Sequence, residues 1–255
     1  MVLILVALSL VFCLKAVDIW RTQEDQLSAR QAVGKRGEDT LRTTLIDLGY
    51  HDWLDGIHVG DASRGAEIDL VLPGAGFLLV LEAKNWSGIV HGTKNDQDWF
   101  LEGADGNHRP RRNPINQASR QARLLAKQTG VPVASCCIMV GRSRPATPEG
   151  YPLGVVPLGE LAEALPAMLA CHPKKRRVDQ AALRDAYAAL QRSTSDATGQ
   201  KAAEDYRTRM AAVFAPMPWL TPLAIAVLCA ALAGFLEDGV LLEVQMVLGR
   251  FFFLS

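Results

Sequence analysis

Residues 67–84 read Glu67-Ile68-Asp69-Leu70-Val71-Leu72, Pro73-Gly74-Ala75-Gly76, Phe77-Leu78-Leu79-Val80-Leu81-Glu82-Ala83-Lys84. Two apolar, strand-forming runs flank a Pro/Gly turn, which predicts a β-hairpin. With the turn centred near Gly74–Ala75, residue 67 faces 82 and residue 69 faces 80. Side chains alternate faces along a strand, so Glu67, Asp69, Glu82 and Lys84 project from one face, and Ile68, Leu70, Leu72, Leu79 and Leu81 from the other. A slip of one residue would destroy that separation. Carboxylates in an apolar sheet are costly unless a cation or hydrogen-bond donors compensate. Two arrangements meet this demand: a solvated sheet face with an ordinary Glu–Lys pair, or Asp69 and Glu82 as oxygen ligands of a hard divalent cation with Lys84 reaching over the same site. Mg²⁺ suits the second, because it is commonly bound through one or two carboxylates and takes further ligands from water and phosphate.

The flanking sequence supplies the rest of one α/β domain over residues 28–192. Ser28 to Tyr50 predicts a helix with Leu41, Leu45 and Leu48 on one face, Gly49 placed to end it, and Glu38 on or near the same stripe. Short strands are expected at Gly88–Gly92 and Asp98–Gly103, a helix at Asn113–Thr129, a buried strand at Val131–Val140 and a shorter one at Gly154–Val156. From Leu158 the chain turns helical, with Leu161, Leu165 and Leu169 on one face. Asp179–Gln191 is a further Ala/Leu helix, and Ser193–Gln200 reads as a polar linker within the stretch 193–212.

An acid on one strand followed across a hairpin by Glu-x-Lys is the PD-(D/E)xK nuclease pattern, and the chain resembles its nuclease-related domain (NERD) branch. The resemblance rests on Gly34-Lys35-Arg36-Gly37-Glu38, Glu67-Ile68-Asp69-Leu70-Val71, Glu82-Ala83-Lys84-Asn85-Trp86-Ser87-Gly88 and Asn113-Pro114-Ile115-Asn116-Gln117-Ala118, in that order. The Pro-Asp of the superfamily motif is Ile68-Asp69 in this chain. The resemblance implies a restriction-endonuclease-like fold, a mixed central sheet flanked by helices, and a Mg²⁺- or Mn²⁺-dependent nuclease, acting on DNA rather than RNA. It implies that Asp69 and Glu82 bind the metal with the Ala83 carbonyl as a third ligand, that Glu38 reaches it from the helix, that Lys84 orients the nucleophile, and that Gln117 orients substrate. A non-catalytic nucleic-acid-binding or membrane-scaffold module on the same fold is the competing reading. Glu67 reads as a supporting acid, and Asn85 and Trp86 as residues that shape the strand end.

The chain has 255 residues, equal numbers of basic and acidic side chains at 27 each, and 49% hydrophobic residues. That excludes disorder and a uniformly basic nucleic-acid coat, so any nucleic-acid contact needs a local patch. One exists: from Asn107 to Pro148 the charged residues are Arg109, Arg111, Arg112, Arg120, Arg123, Lys127, Arg142 and Arg144, with no acid among them. Apolar residues concentrate at the two ends. Only Ser9 and Lys15 interrupt residues 1–17, and only Pro216, Pro218, Thr221, Pro222 and Gly234 interrupt 211–236. As a helix, Trp219–Leu236 would extend about 27 Å, close to the hydrocarbon thickness of a bilayer. The expectation is an N-terminal transmembrane anchor at 1–17, with a cleaved signal peptide as the alternative, a transmembrane helix at 216–237 and an apolar interfacial tail at 240–255.

Basic residues next to both apolar ends lie on the inner side, at Lys15, Arg21, Arg30, Lys35 and Arg36, and at Lys201, Arg207 and Arg209. The positive-inside bias then places the domain in the cytoplasm at a bacterial inner membrane, with the lipid bilayer and nucleic acid as partners. The five cysteines show no zinc spacing, and His51, His58, His91, His108 and His172 form no ligand-spaced pair along the chain. No phosphate-cradling glycine loop or nucleophile elbow is present, which argues against NTPase and serine-hydrolase chemistry.

Overall fold

The computed structural model describes residues 2–60, 65–170 and 178–195, with 204 and 208, and leaves aside the side chains of 2–14, 16–20, 23 and 24. The chain divides into two compact units, residues 30–210 and residues 1–29 with 211–255. Among the described residues no helix is long and apolar enough to cross a membrane. The expected transmembrane segment at 216–237 and the tail at 240–255 lie outside them. The expected anchor at 1–17 is described from Val2 as backbone only, the side chain of Lys15 excepted.

The described elements of the larger unit form a mixed α/β fold with two sheets. Helix α1 (Val2–Asp47) begins far ahead of the predicted Ser28 and ends as expected, at Gly49 in the left-handed region (φ 84°). The main sheet is ordered β1-β2-β3-β7-β9, from β1 (Leu54–Val59), β2 (Ala66–Pro73), β3 (Leu78–Lys84), β7 (Val133–Met139) and β9 (Val155–Pro157). Strands β1 to β3 are antiparallel neighbours, whereas β3–β7 and β7–β9 are parallel. A parallel pair needs a crossover connection, and α2 (Pro114–Thr129) lies in the one between β3 and β7. A smaller sheet, β6-β5-β4-β8, is built from β4 (Gly88–His91), β5 (Asp98–Glu102), β6 (His108–Arg112) and β8 (Ser143–Pro145). Helices α3 (Leu161–Ala170) and α4 (Gln180–Ser195) complete the domain. Because α4 continues to Ser195, the first residues of the expected linker at 193 are helical.

The hairpin forms, but its register differs by two residues from the symmetric expectation. Leu70 pairs with Leu81, Val71 with Val80, Leu72 with Leu79 and Pro73 with Leu78. Phe77 belongs to the turn rather than to the strand. It is fully buried and folds back on Gly74, where a Cβ would lie 2.8 Å from its ring, and its carbonyl accepts from Gly74 N–H at 2.8 Å. A shift of two preserves facing, so the separation of polar and leucine faces survives while the opposed pairs change.

Both faces of the sheet are covered, which explains why β2 and β3 are nearly continuous apolar runs. Leu70, Leu72, Leu79 and Leu81 pack with Leu41 and Leu45 of α1 and Leu161 and Leu165 of α3. Val71, Leu78 and Val80 pack with Ala122 and Leu125 of α2 and Leu183 and Leu190 of α4. Ile68, expected with the leucines, joins this second cluster through Ile57, Val59 and Ala66. The face bearing the acids is therefore roofed by α2 and is not a solvated surface.

Asn113 fixes the start of that roof. Its Oδ1 accepts from the N–H groups of Ile115 (2.9 Å) and Asn116 (3.4 Å), and its Nδ2 donates to the carbonyls of Thr93, Lys94 and Asp96. Since Asn113 is buried, its loss strips a cap and leaves several backbone groups without partners. Asn113→Ala should cost about 2 kcal/mol, measured as a lowered urea midpoint at unchanged m-value.

Candidate active site

Each acid reaches the site through a distinct element. Asp69 stands on the roofed face of β2, where its Oδ2 accepts from the backbone N–H of Ala83 at 2.8 Å. That bond ties the acid to the strand that bears Glu82 and Lys84. Glu82 is 2% exposed and is saturated with donors: Lys84 Nζ and Gln117 Nε2 (2.5 Å) reach Oε1, and Gln121 Nε2 (2.6 Å) reaches Oε2. Gln117 and Gln121 lie one turn apart on the face of α2 that meets the sheet. Gln121 also donates to the Glu67 carbonyl at 2.9 Å, holding the helix against β2.

Glu38 enters from α1 because that helix docks tightly on the end of β3. Gly37 is buried, and a Cβ there would stand 2.7 Å from that of Asn85, whose Nδ2 donates to the Val33 carbonyl at 2.8 Å. The glycine of the Gly34–Glu38 motif thus permits the approach that the next residue uses. Glu38 is 33% exposed and pairs with Arg42 at 3.3 Å, while Arg42 also serves Asp39 and Asp55.

Electrostatics confirm that these groups share one environment. Asp69 is held well above the usual carboxylate range, first by burial and then by the charge of Glu82, with Glu38 adding to it and Lys84 and the Ala83 N–H opposing. Burial likewise raises Glu38; Arg42 counters it, and Glu67 and Asp39 reinforce it. For Lys84 burial is the largest single influence and favours the neutral amine. The charge and hydrogen bond of Glu82, with Asp69 behind them, outweigh it, so the net shift is upward and the ammonium persists at neutral pH.

The structure thus brings together Glu38, Asp69, Glu82, Lys84 and Gln117, with Glu67 at the margin, and adds Gln121. A glutamine on a basic helix reads as a surface residue; the available signal was its position four residues after Gln117. The basic residues divide between two elements. Arg120, Arg123 and Lys127 are exposed on α2, with Arg120 donating to the Gly65 carbonyl beside β2 at 3.3 Å. Arg109, Arg111 and Arg112 are exposed on β6, an edge strand absent from the sequence-based expectation; Arg109 pairs there with Asp105. Asn85 anchors α1, and Trp86 packs against the cluster of Val90, Trp99 and Leu101.

Spacing along the chain does not reveal how the histidines meet. His91 and His108, far apart in sequence, converge on Glu102: His91 Nε2 lies 2.8 Å and His108 Nε2 3.9 Å from its Oε2. Strand pairing brings them together, since His108 sits directly opposite Glu102 and His91 opposite Phe100. Cys136 and Cys137 are buried and unbridged on β7, and burial pushes the Cys136 thiol up to about 12, consistent with inert core thiols.

The acidic centre suits a divalent cation. Glu82 and Asp69 face Lys84, Glu38 acts on Asp69 from α1 while paired with Arg42, and Glu67 lies beyond it. The Oε1 of Gln121, buried beside Glu82, has no hydrogen-bond partner among the described residues. An excess of buried negative charge with oxygen donors only is the ligand chemistry of Mg²⁺ or Mn²⁺.

Comparison with known proteins bears on the same stretch of the chain. The family model described as nuclease-related domain, NERD, matches residues 33–140. A stretch of 164 residues, 61% of the chain, is 27% identical to "Probable kinase PglW" of Streptomyces coelicolor, and the chain spans 10% of that relative's length. No solved structure matches the chain. Residues 33–140, which carry Glu38, Asp69, Glu82, Lys84, Gln117 and Gln121, therefore belong to the NERD, or nuclease-related domain, family.

Proposed function

We propose that the chain is a metal-dependent nuclease of restriction-endonuclease-like fold that hydrolyses phosphodiester bonds of DNA, anchored to a membrane with its domain on the cytoplasmic side. The observation that carries this reading is the junction, beneath α2, of Asp69, Glu82 and Lys84 with Glu38. Asp69, Glu82, the Ala83 carbonyl and Glu38 would hold Mg²⁺ or Mn²⁺, which when bound polarises a phosphate and acidifies a water.

The remaining work falls to the chain's own side chains. Gln117 and Gln121 fix both oxygens of Glu82, so the carboxylate does not rotate when substrate arrives. Lys84, kept cationic by Glu82 and Asp69, orients the attacking water and offsets negative charge that grows on the phosphoryl oxygens. Glu82 at 2% exposure and Lys84 at 17% are largely screened from bulk water, which strengthens their interactions. The apolar ends and their inner basic flanks support the anchorage, and the acid-free stretch 107–148 supports a polyanionic substrate.

The test is cleavage of plasmid DNA by the full chain in detergent with Mg²⁺ or Mn²⁺, against EDTA and against Glu82→Ala. Cleavage that survives both would refute the mechanism. DNA binding without cleavage, indifferent to EDTA, would mark a non-catalytic module on the same fold. Sedimentation with membranes tests the anchorage.

The exposed arginines of β6 give a quantitative check. Arg111→Ala with Arg112→Ala should weaken DNA binding on every sequence alike. The slope of log affinity against log salt should become shallower by about one for each phosphate that the variant no longer neutralises. An unchanged slope would remove this strand from the nucleic-acid surface.

A further inference from the structure

We propose that His91, Glu102 and His108 form a binding site for a borderline divalent transition metal, Zn²⁺ foremost, on the outer face of the small sheet. The three residues stand on three adjacent strands, β4, β5 and β6. In the ladder Glu102 pairs with Ile89 and with His108, and His91 pairs with Phe100, so all of them project from one face. Val90, Trp99 and Leu101 point to the other face and into the core.

Both imidazoles turn Nε2 toward the same carboxylate oxygen, at 2.8 Å and 3.9 Å, and the three ligand atoms lie within 4.8 Å of one another. Zinc bonds to nitrogen and oxygen of about 2.0–2.1 Å imply ligand atoms about 3.3 Å apart in a tetrahedron. The observed spacings bracket that value. The three side chains are partly exposed, so small rotations suffice while the ladder fixes their Cα positions. The rings already sit 5.2 Å apart, centroid to centroid, tilted at 47°. Two imidazoles and one carboxylate favour Zn²⁺, Co²⁺ or Ni²⁺ over Mg²⁺, and three protein ligands leave a fourth position to water.

Such a metal would have structural work to do. All five residues of β6 are exposed, and the strand lies at the sheet edge with Pro110 in its centre. No burial of its own side chains holds it. A cation bridging His108 to Glu102 and His91 would staple β6 to β5 and β4, and with it Arg109, Arg111 and Arg112. The donor set differs from that of the Asp69 centre, so the inference stands whether or not the nuclease reading does.

The experiment uses the full chain in detergent, stripped with chelator and titrated with Zn²⁺ by calorimetry. Bound metal is counted after desalting, and Co²⁺ serves as a spectroscopic probe. The expected result is about one Zn²⁺ per chain at micromolar concentration, with a visible Co²⁺ band. His91→Gln, His108→Gln and Glu102→Gln should each weaken binding at least tenfold, since even the loss of a residue that merely orients a ligand costs about 10–100-fold. His108 is 53% exposed, so His108→Gln keeps the fold, and an unchanged far-UV spectrum and melting temperature in EDTA verify this. Glu82→Ala should leave Zn²⁺ binding intact. Wild-type Zn²⁺ binding in the histidine variants, loss of it in Glu82→Ala instead, or no binding at about 100 μM Zn²⁺ would each overturn the proposal.

Discussion

Lys84→Met is expected to cut cleavage by roughly 10²–10³-fold and to destabilise the fold by about 3–5 kcal/mol. Methionine keeps the apolar stem of the side chain but removes the ammonium bonded to Glu82, a carboxylate that is 2% exposed. Removing one partner of a buried ion pair strands the other in a low-dielectric site, which costs several kilocalories per mole, far more than a surface pair would. Lys84 itself is 17% exposed, and Gln117 and Gln121 still donate to Glu82, so the lower end of the range is the better expectation. The urea midpoint of the full chain checks the stability. Cleavage should fall by roughly 10²–10³-fold even where the variant is fully folded, the usual cost of one group aimed at developing charge. A folded variant with wild-type cleavage would remove Lys84 from the chemistry.

Asp69→Asn should separate activity from stability in the opposite sense. Cleavage should drop by at least about a thousandfold, because loss of a ligand forfeits several kilocalories per mole of charge stabilisation. The metal-free chain should nevertheless melt higher than wild type at neutral pH. Asp69 is raised well above the ordinary carboxylate value by burial and by Glu82, so the folded state holds the proton more tightly than the unfolded chain does. The favourable term is then fully present below the unfolded value, near pH 4, and is lost as pH rises through the raised folded value. Asparagine is neutral throughout and can still accept from Ala83 N–H. Its advantage should therefore vanish near pH 4 and grow with pH, at about 2–4 °C in melting temperature per kcal/mol. Saturating Mg²⁺ should reverse the order at pH 7.5 by stabilising only the wild type. Equal melting temperatures in EDTA from pH 4 to 8 would show that burial and the charge of Glu82 do not disfavour the Asp69 carboxylate in the fold.

The acidic hairpin could be read from sequence because its decisive property is parity. Glu67, Asp69, Glu82 and Lys84 share a face in any register shifted by an even number, so the two-residue error introduced by Phe77 left the site assembled. What could not be read is what covers that face. Only the packing of α2 shows that the acids are roofed, and Gln121 follows from it. Strand β1 escaped because Asp55-Gly56 mimics a turn, with Gly56 at φ 58° inside the strand. Strand β6 escaped because His108-Arg109-Pro110-Arg111-Arg112 contains no large apolar residue to alternate. The convergence of His91, Glu102 and His108 depends on the pairing of three strands at once, which no spacing along the chain encodes.

Asn113 makes the segment from residue 93 to the Glu82 carboxylate a single mechanical piece. Its amide grips the carbonyls of Thr93, Lys94 and Asp96, its oxygen seats the first turn of α2, and one and two turns further on Gln117 and Gln121 hold Glu82. Losing the Asn113 side chain would therefore loosen at once the 93–96 loop, the first turn of α2 and the seating of the two glutamines that hold Glu82.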